Sequence, residues 1–370
     1  MILLSSVITS FESEFLERYG RSILPSHRKA LAAMKLCRTS SSPRMVAQCN
    51  ECDHQSYIPH SCGHRNCPHC QHHESEQWLQ RQREKQVPAD YFLLTFTLPA
   101  QLRSMAWDHQ RTVYAAMIRC SWETVNTFAQ NDRQLQGRAG AICVLHTHSR
   151  CLDFHPHVHL VMPAAALDPR NRLWRTKRNK KQYLFNHKAL AKVFRAKLCE
   201  AINASGLKMP AKVPEKWVVD CKPVGSGEKA LVYLGRYLYR GVIREKDIIA
   251  CADGQVTFRY QDSNTKRIRT RTLPGADFLW LIIRHVLPKG LRRTRNFGFL
   301  HPNSKRLIGL LQYLLGIDPR RFLTRFKPRP QIQCPCCGAP MVIVKTRLPP
   351  LRCSPMTTST LLNPFEASVM

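Results

Sequence analysis

Two apolar runs carrying histidines on a shared side constrain this chain most. AICVLHTH (141–148) and HPHVHLVM (155–162) each read as a β-strand, and the short connection SRCLDF between them favours an antiparallel pair. Side chains alternate along a strand, so His157 and His159 point one way and Val158 turns into the core behind them. Opposite residues of an antiparallel pair have a constant sum of numbers. The expected register sets His146 against His159 and His148 against His157, with all four imidazoles on one side. Two imidazoles two strand steps apart can chelate one divalent ion. His146 or His148 completes a three-His site with open positions, as a catalytic metal requires, and His146 is taken as the third ligand. His155 has the same parity, but Pro156 bends the strand end. One histidine on a strand is commonly just a surface or satisfied core residue; four on facing strands are harder to explain that way.

The rest of the chain alternates strands with helices. Residues 1–36, 105–130 and 188–203 show helical spacing, YFLLTFTL (91–98) reads as a buried strand, and QVTFRYQDS with RIRTRTL reads as a hairpin. The mixture predicts an α+β fold. EKALVYLGRYLYRGVI reads as a helix that sets Tyr233 and Tyr237 four residues apart on one face. Arg236 and Arg240 lie where guanidinium groups hold phosphates. A phenol with a pKa near ~10 is a poor nucleophile at neutral pH, and becomes useful when a metal polarises a phosphodiester. On its own, Tyr alternating with Leu is equally consistent with a packed amphipathic helix.

Cysteine spacing points to a second metal. Cys49-x-x-Cys52 and Cys67-x-x-Cys70 are two knuckles that together make a tetrahedral Cys₄ zinc site of structural type. His54, His60, Cys62 and His64 lie between them, and any of these could replace a Cys or serve a second ion. Cys334, Cys336 and Cys337 of CPCCG resemble half a zinc ribbon, with no second CxxC in the tail to complete it.

Composition narrows the partner. Lys and Arg number 57 against 25 Asp and Glu, giving a net charge of +32, and a chain this basic calls for a polyanion. Basic candidates for phosphate contact are Arg175, Lys177, Arg178, Lys180 and Lys181, then Arg267, Arg269 and Arg271, then Arg292 and Arg293. The N-terminus has no basic leader, and FLWLII (278–283) is far too short to span a bilayer, so the expectation is a cytoplasmic protein without a membrane partner. Clustered Cys in a reducing compartment then read as metal ligands rather than disulfides.

The segments SCGHRNCPHCQ, LHTHSRCLDFHPHVHLVM, ALVYLGRYLYR, RTRTLPGADFLWLIIRHVLPKGLRRTRNFGFLH and CPCCG carry a resemblance that covers most of the chain. Together they resemble the rolling-circle transposases of the insertion sequence 91 family, within the HUH-type single-strand nucleases. The resemblance implies an HUH core, with an antiparallel sheet, the two His on a central strand and the tyrosines on an adjacent helix. It implies that His157 and His159 are the paired ligands of Mg²⁺ or Mn²⁺, and that Tyr233 and Tyr237 are the two nucleophiles, Tyr237 being the one kept where a relative has only one. It also places Cys49, Cys52, Cys62, Cys67 and Cys70 in an N-terminal zinc-binding region. The tail MTTSTLLNPFEASVM departs from the family pattern.

The expected organisation is N-terminal helices and a zinc module (1–85), a nuclease core (86–245), a basic hairpin and helical extension (246–328), and a linker with a poorly ordered Cys-bearing tail (329–370). The expected activity is nicking and rejoining of single-stranded transposon-end DNA through a 5′-phosphotyrosine, with self-association on DNA as a further expectation. Two other readings compete: a plasmid rolling-circle replication initiator or relaxase, and a non-catalytic zinc-dependent DNA-binding regulator.

Overall fold

The structure, a computed structural model, describes residues 2–168, 170, 173–177, 183–239, 241–262, 265–318 and 331–349. In chain order its elements are α1 (Leu4–Tyr19), α2 (Pro25–Leu36), β1 (Arg44–Cys49), β2 (Gln55–Pro59), α3 (His72–Arg83), β3 (Tyr91–Thr97), α4 (Arg103–Asp108) and α5 (Gln110–Asn131). Then come β4 (Arg138–His148), β5 (Phe154–Pro163), β6 (Ala165–Asp168), β7 (Leu173–Thr176), α6 (His187–Ala204), β8 (Val219–Pro223) and α7 (Glu228–Tyr239). The last are β9 (Ile248–Ala252), β10 (Gln255–Gln261), β11 (Ile268–Pro274), α8 (Gly275–Ile283), β12 (Thr294–Gly298), α9 (Lys305–Leu314), β13 (Ile332–Gln333) and β14 (Pro340–Leu348). The α+β expectation holds.

The chain divides into two units, Met1–Lys35 with Cys62–Pro328, and Leu36–Ser61 with Arg329–Met370. This differs from the four consecutive segments expected from sequence. Strand pairing between distant stretches joins the residues before Cys62 to those after Pro328, and a reading that runs along the chain has no access to such pairing.

The first unit is built on an antiparallel sheet in the order β7-β6-β4-β5-β3-β8, with β12 also paired to β4. Period-two alternation gives this sheet two apolar faces. Phe92, Leu94 and Phe96 of β3, Cys143 and Leu145 of β4, and Val158 and Leu160 of β5 pack with Val113, Met117 and Ile118 of α5 and Leu190, Phe194 and Leu198 of α6. Asn186 caps α6, its side chain accepting from the N–H groups of Lys188 and Ala189. The opposite face shows Ile142 and Val144 of β4 and Val161 of β5, which pack with Trp78 and Leu79 of α3 and Leu231, Leu234 and Leu238 of α7. The expected helix over 105–130 is broken into α4 and α5 at His109.

Sequence reading gave no strand at β12, because TRNFG lies in a basic run with little apolar content. Its pairing to β4, Thr294↔Val144 through Gly298↔Gly140, is a tertiary decision. Gly298 closes this strand at φ +61°, and an added Cβ would lie 1.7 Å from the Ala139 carbonyl oxygen. Gly298→Ala should therefore cost about 2–4 kcal/mol, through a left-handed side chain and a backbone clash together. A denaturant midpoint unchanged from the parent protein would contradict this packing.

The second unit is a four-stranded sheet, β13-β14-β1-β2. The tail was expected to be poorly ordered, yet β14 pairs with β1, from Arg44↔Leu348 to Cys49↔Met341, and β13 pairs with β14. The segment MTTSTLLNPFEASVM and Cys353 lie outside the described residues.

Candidate functional site

The sheet face under α7 carries histidines at its β4–β5 end. Ile142, Val144 and His146 share one parity on β4, and Val161, His159 and His157 share the matching parity on β5, so the apolar patch that seats α7 continues into three imidazoles. The register differs from the expected one by two residues. His146 lies directly opposite His157, and His159 lies opposite Val144. A shift of two preserves the facing of every side chain, whereas a shift of one would have reversed it.

His146, His157 and His159 bring ligand nitrogens within 4.8 Å of one another. Their exposures are 1%, 9% and 8%, so the group is almost fully enclosed. Two of the three imidazoles are oriented by neighbours. His157 Nδ1 donates to the His155 carbonyl at 2.6 Å, leaving Nε2 with its lone pair, and His159 Nδ1 lies 2.9 Å from Thr95 Oγ1. His146 Nε2 is buried and has no hydrogen-bond partner among the described residues. Burial, reinforced by the neighbouring rings, pushes His146 and His157 well below the usual imidazole range, and burial lowers His159 to about 4. Three neutral, converging imidazoles and an orphaned nitrogen fit a divalent metal ion.

His148 does not join them. The ladder is interrupted between His146 and His148, where Pro156 has no N–H to give. His148 Nδ1 donates to the Ser149 carbonyl instead, and its ring stands 4.7 Å from Tyr237 and 5.2 Å from His285. His155 accepts from Arg103 Nη2 at 2.7 Å.

Both tyrosines of α7 meet the imidazoles. The Tyr237 ring stacks on His146 at 3.2 Å between centroids, with 10° between the planes. Its phenol oxygen accepts from the Thr147 N–H at 3.1 Å. Tyr233 stands 6.0 Å from both His146 and His159 and is 49% exposed. Burial raises both phenols, Tyr237 to about 12, while the nearby Arg293 guanidinium opposes the rise at Tyr237. α7 approaches closely at Gly235, where an added Cβ would sit 3.2 Å from the Trp78 ring. Ser75 Oγ donates to the Gly235 carbonyl there.

The basic candidates divide by environment. Arg236, Arg267 and Arg292 are exposed. Arg269 is exposed and lies 3.8 Å from Asp262. Arg175 pairs with Asp168 at 3.2 Å, Lys177 pairs with Asp132, and Arg271 pairs with Asp153 at 2.8 Å, so these three are engaged inside the protein. Arg178, Lys180, Lys181 and Arg240 lie outside the described residues. Arg293 corrects the expectation of a surface phosphate contact. It is buried, with its guanidinium carbon 5.8 Å from the Tyr237 ring centre. Sequence reasoning missed Thr95, Thr147 and His285, which reach this end of the sheet from separate elements. His285 Nδ1 lies 3.2 Å from Thr147 Oγ1, and its Nε2 lies 2.9 Å from the Leu152 carbonyl.

The expected Cys49/Cys52/Cys67/Cys70 tetrad is not what the structure assembles. Cys62, Cys67 and Cys70 gather in the first unit, with Cys62 and Cys70 sulfurs 3.7 Å apart and the His64 N–H directed at Cys62 Sγ. Cys49 and Cys52 belong to the second unit and group there with Cys334 and Cys337. Every described cysteine is outside a disulfide.

His157, Val158 and His159 thus lie on one strand inside an antiparallel sheet, and a helix bearing two tyrosines reaches the same imidazoles, the arrangement that the resemblance to HUH-type nucleases implies. Two family models match the chain: the transposase zinc-binding domain over residues 7–98, and the model described as "Putative transposase" over residues 140–307. Both models describe transposase segments, and with the relatives below they make the chain similar to transposases of the insertion sequence 91 type. It is 28% identical over 368 residues to "Putative transposase y4qJ" of Sinorhizobium fredii, covering 88% of this chain and 92% of that one. It is also 28% identical over 326 residues to the transposase for insertion sequence element IS801 of Pseudomonas savastanoi pv. phaseolicola, covering 82% of this chain and 75% of that one. Among solved structures, the relaxase TrwC, complexed with DNA comprising its recognition hairpin and cleavage site, aligns at 15% identity and a TM-score of 0.26 over 61% of this chain and 74% of that one. Among the described residues, no helix is long and apolar enough to cross a membrane.

Proposed function

We propose that this transposase nicks and rejoins single-stranded DNA at transposon ends through a covalent 5′-phosphotyrosine. The observation that carries the reading is the stacking of Tyr237 on His146 inside a cluster of three converging imidazoles. His146, His157 and His159 hold the catalytic divalent ion, Mg²⁺ or Mn²⁺ by family resemblance, and an all-imidazole donor set favours the softer Mn²⁺. Such an ion supplies Lewis-acid polarisation of the scissile phosphate.

Tyr237 is the first nucleophile. Its phenol oxygen forms a bond to phosphorus as the bond from phosphorus to the 3′ oxygen breaks. The phenol proton is lost, and the departing oxygen is protonated to a free 3′-OH. Arg293, beside the ring, favours the phenolate that attacks. One phosphodiester is exchanged for another, so the bond energy is retained for rejoining without a nucleotide. Tyr233, half exposed on the same helix face, makes a second cleavage while the first link persists. Exposed Arg236, Arg267, Arg269 and Arg292 contact the DNA backbone. Cys62, Cys67 and Cys70 take part in a structural zinc site. The protein acts at the bacterial nucleoid.

The test is incubation of the purified protein with labelled single-stranded transposon-end DNA and Mn²⁺. An adduct that survives denaturant, accompanied by a free 3′-OH fragment, is the expected result. Cleavage that leaves a 5′-phosphate and no adduct would sink the phosphotyrosine mechanism.

A further inference from the structure

We propose that Cys49, Cys52, Cys334 and Cys337 bind one zinc ion, forming a ribbon whose two knuckles come from opposite ends of the chain. The family zinc-binding domain spans residues 7–98 and so contains only the first knuckle. All four cysteines lie within the second unit, and their sulfurs are within 4.8 Å of one another. Cys49 and Cys337 sulfurs are 3.5 Å apart, as are those of Cys52 and Cys334. Four thiolates at the usual ~2.3 Å from zinc form a tetrahedron with edges of about 3.8 Å. The spacing is close to that edge and far from the ~2.05 Å of a disulfide.

The two knuckles have the same backbone design. The Cys49 N–H donates to the His54 carbonyl at 2.9 Å, and the Cys334 N–H donates to the Ala339 carbonyl at 2.8 Å. Both turns span five positions, and both place a left-handed residue at the fourth, Asp53 at φ +54° and Gly338 at φ +73°. The Cys336 N–H points at Cys334 Sγ from 3.4 Å, which stabilises a thiolate there. Identical turns presenting two sulfurs each, in two stretches about 280 residues apart, are what a Cys₄ site requires.

The energetics of the unit also call for an ion. Its apolar cluster has only Ala47, Cys49, Cys334 and Met341 buried, with Ile58, Ile332 and Ala339 packed beside them. A sheet this small cannot offset its own ordering entropy by burial, and small domains of this kind use a metal instead. Four adjacent sulfurs cannot all be anionic without a cation, and zinc binding displaces their protons. The ion would pin β13 and β14 to β1 and hold the two ends of the chain together. The site stands independently of the nuclease reading.

Zinc content of the purified full-length protein tests this directly. Cys334→Ser, Cys337→Ser and Cys52→Ser should each lose one equivalent of zinc relative to the parent. The Cys52→Ser/Cys337→Ser double variant should lose the same single equivalent. Cys336→Ser, in the same turn but outside the ligand set, should keep full zinc and serves as the folding control. Cobalt loading adds a spectroscopic reading: intensity from tetrahedral thiolate coordination should fall in Cys337→Ser and stay unchanged in Cys336→Ser. Full zinc in Cys334→Ser and Cys337→Ser overturns the proposal. So does an equivalent shared by Cys52 and Cys67, which would restore the tetrad expected from sequence.

Discussion

Tyr237→Phe should reduce formation of the covalent protein–DNA adduct by roughly 10³-fold or more, because it deletes the phenol oxygen proposed to make the first attack on phosphorus. The change is otherwise small. The ring remains stacked on His146, and the lost hydroxyl takes with it one hydrogen bond from the Thr147 N–H. Affinity for single-stranded end DNA should stay within about threefold, since the proposed phosphate contacts are the exposed arginines and not the phenol. Tyr233→Phe should behave differently. It should retain the first adduct and lose the second cleavage, so that nicked but untransferred strands accumulate. Adduct yield on a denaturing gel, read beside a binding isotherm, separates these results. Persistence of the adduct in the Tyr233→Phe/Tyr237→Phe double variant would falsify the assignment of both phenols.

The second large effect is expected at the imidazoles. His157→Ala/His159→Ala should lower nicking by roughly 10³-fold, because under the proposed function it removes two of the three imidazoles that would hold the ion. His157 Nδ1 is bound to a backbone carbonyl and His159 Nδ1 is bound to Thr95, so the nitrogens left for an ion cannot be replaced by rotating a neighbour. Binding of Mn²⁺, read by electron paramagnetic resonance, should disappear together with nicking, while DNA affinity changes little. His148→Ala gives the contrast that the register demands. His148 stands outside the converging group, so ion binding should remain within about twofold of the parent. Equal loss from His148→Ala and from the double variant would mean that the wrong set of rings had been chosen.

Much of this site is legible in the sequence alone. Alternation alone put His157 and His159 on one face and Val158 on the other, and the structure has Val158 in the apolar layer under α5 and α6. Helical spacing alone put Tyr233 and Tyr237 on one side of α7, and both reach the imidazoles. The choice between His146 and His148 was not legible. It turned on the register of β4 against β5 and on the interruption at Pro156, and both depend on how two strands settle against the rest of the sheet. Arg293 was visible as a charge but not as a buried one. Its burial follows from β12 pairing with β4, a contact between positions about 150 residues apart in a stretch with little strand character of its own.

The cysteines show the same division. Each Cys-x-x-Cys is a local feature, a turn presenting two sulfurs, and local spacing is enough to recognise it. Which knuckle partners which is a long-range choice among several pairings that the spacings equally permit. Here β1 pairs with β14 and brings Cys334 and Cys337 to Cys49 and Cys52, leaving Cys62, Cys67 and Cys70 to group in the other unit. By itself, then, the order of residues determined everything with a short period: which side chains share a strand face, which share a helix face, which sulfurs share a turn, and that the whole is cationic enough to seek nucleic acid. Only the folded chain decided which of those faces and turns meet, because that depends on free energy summed over contacts between distant segments, and no short window of sequence contains those contacts.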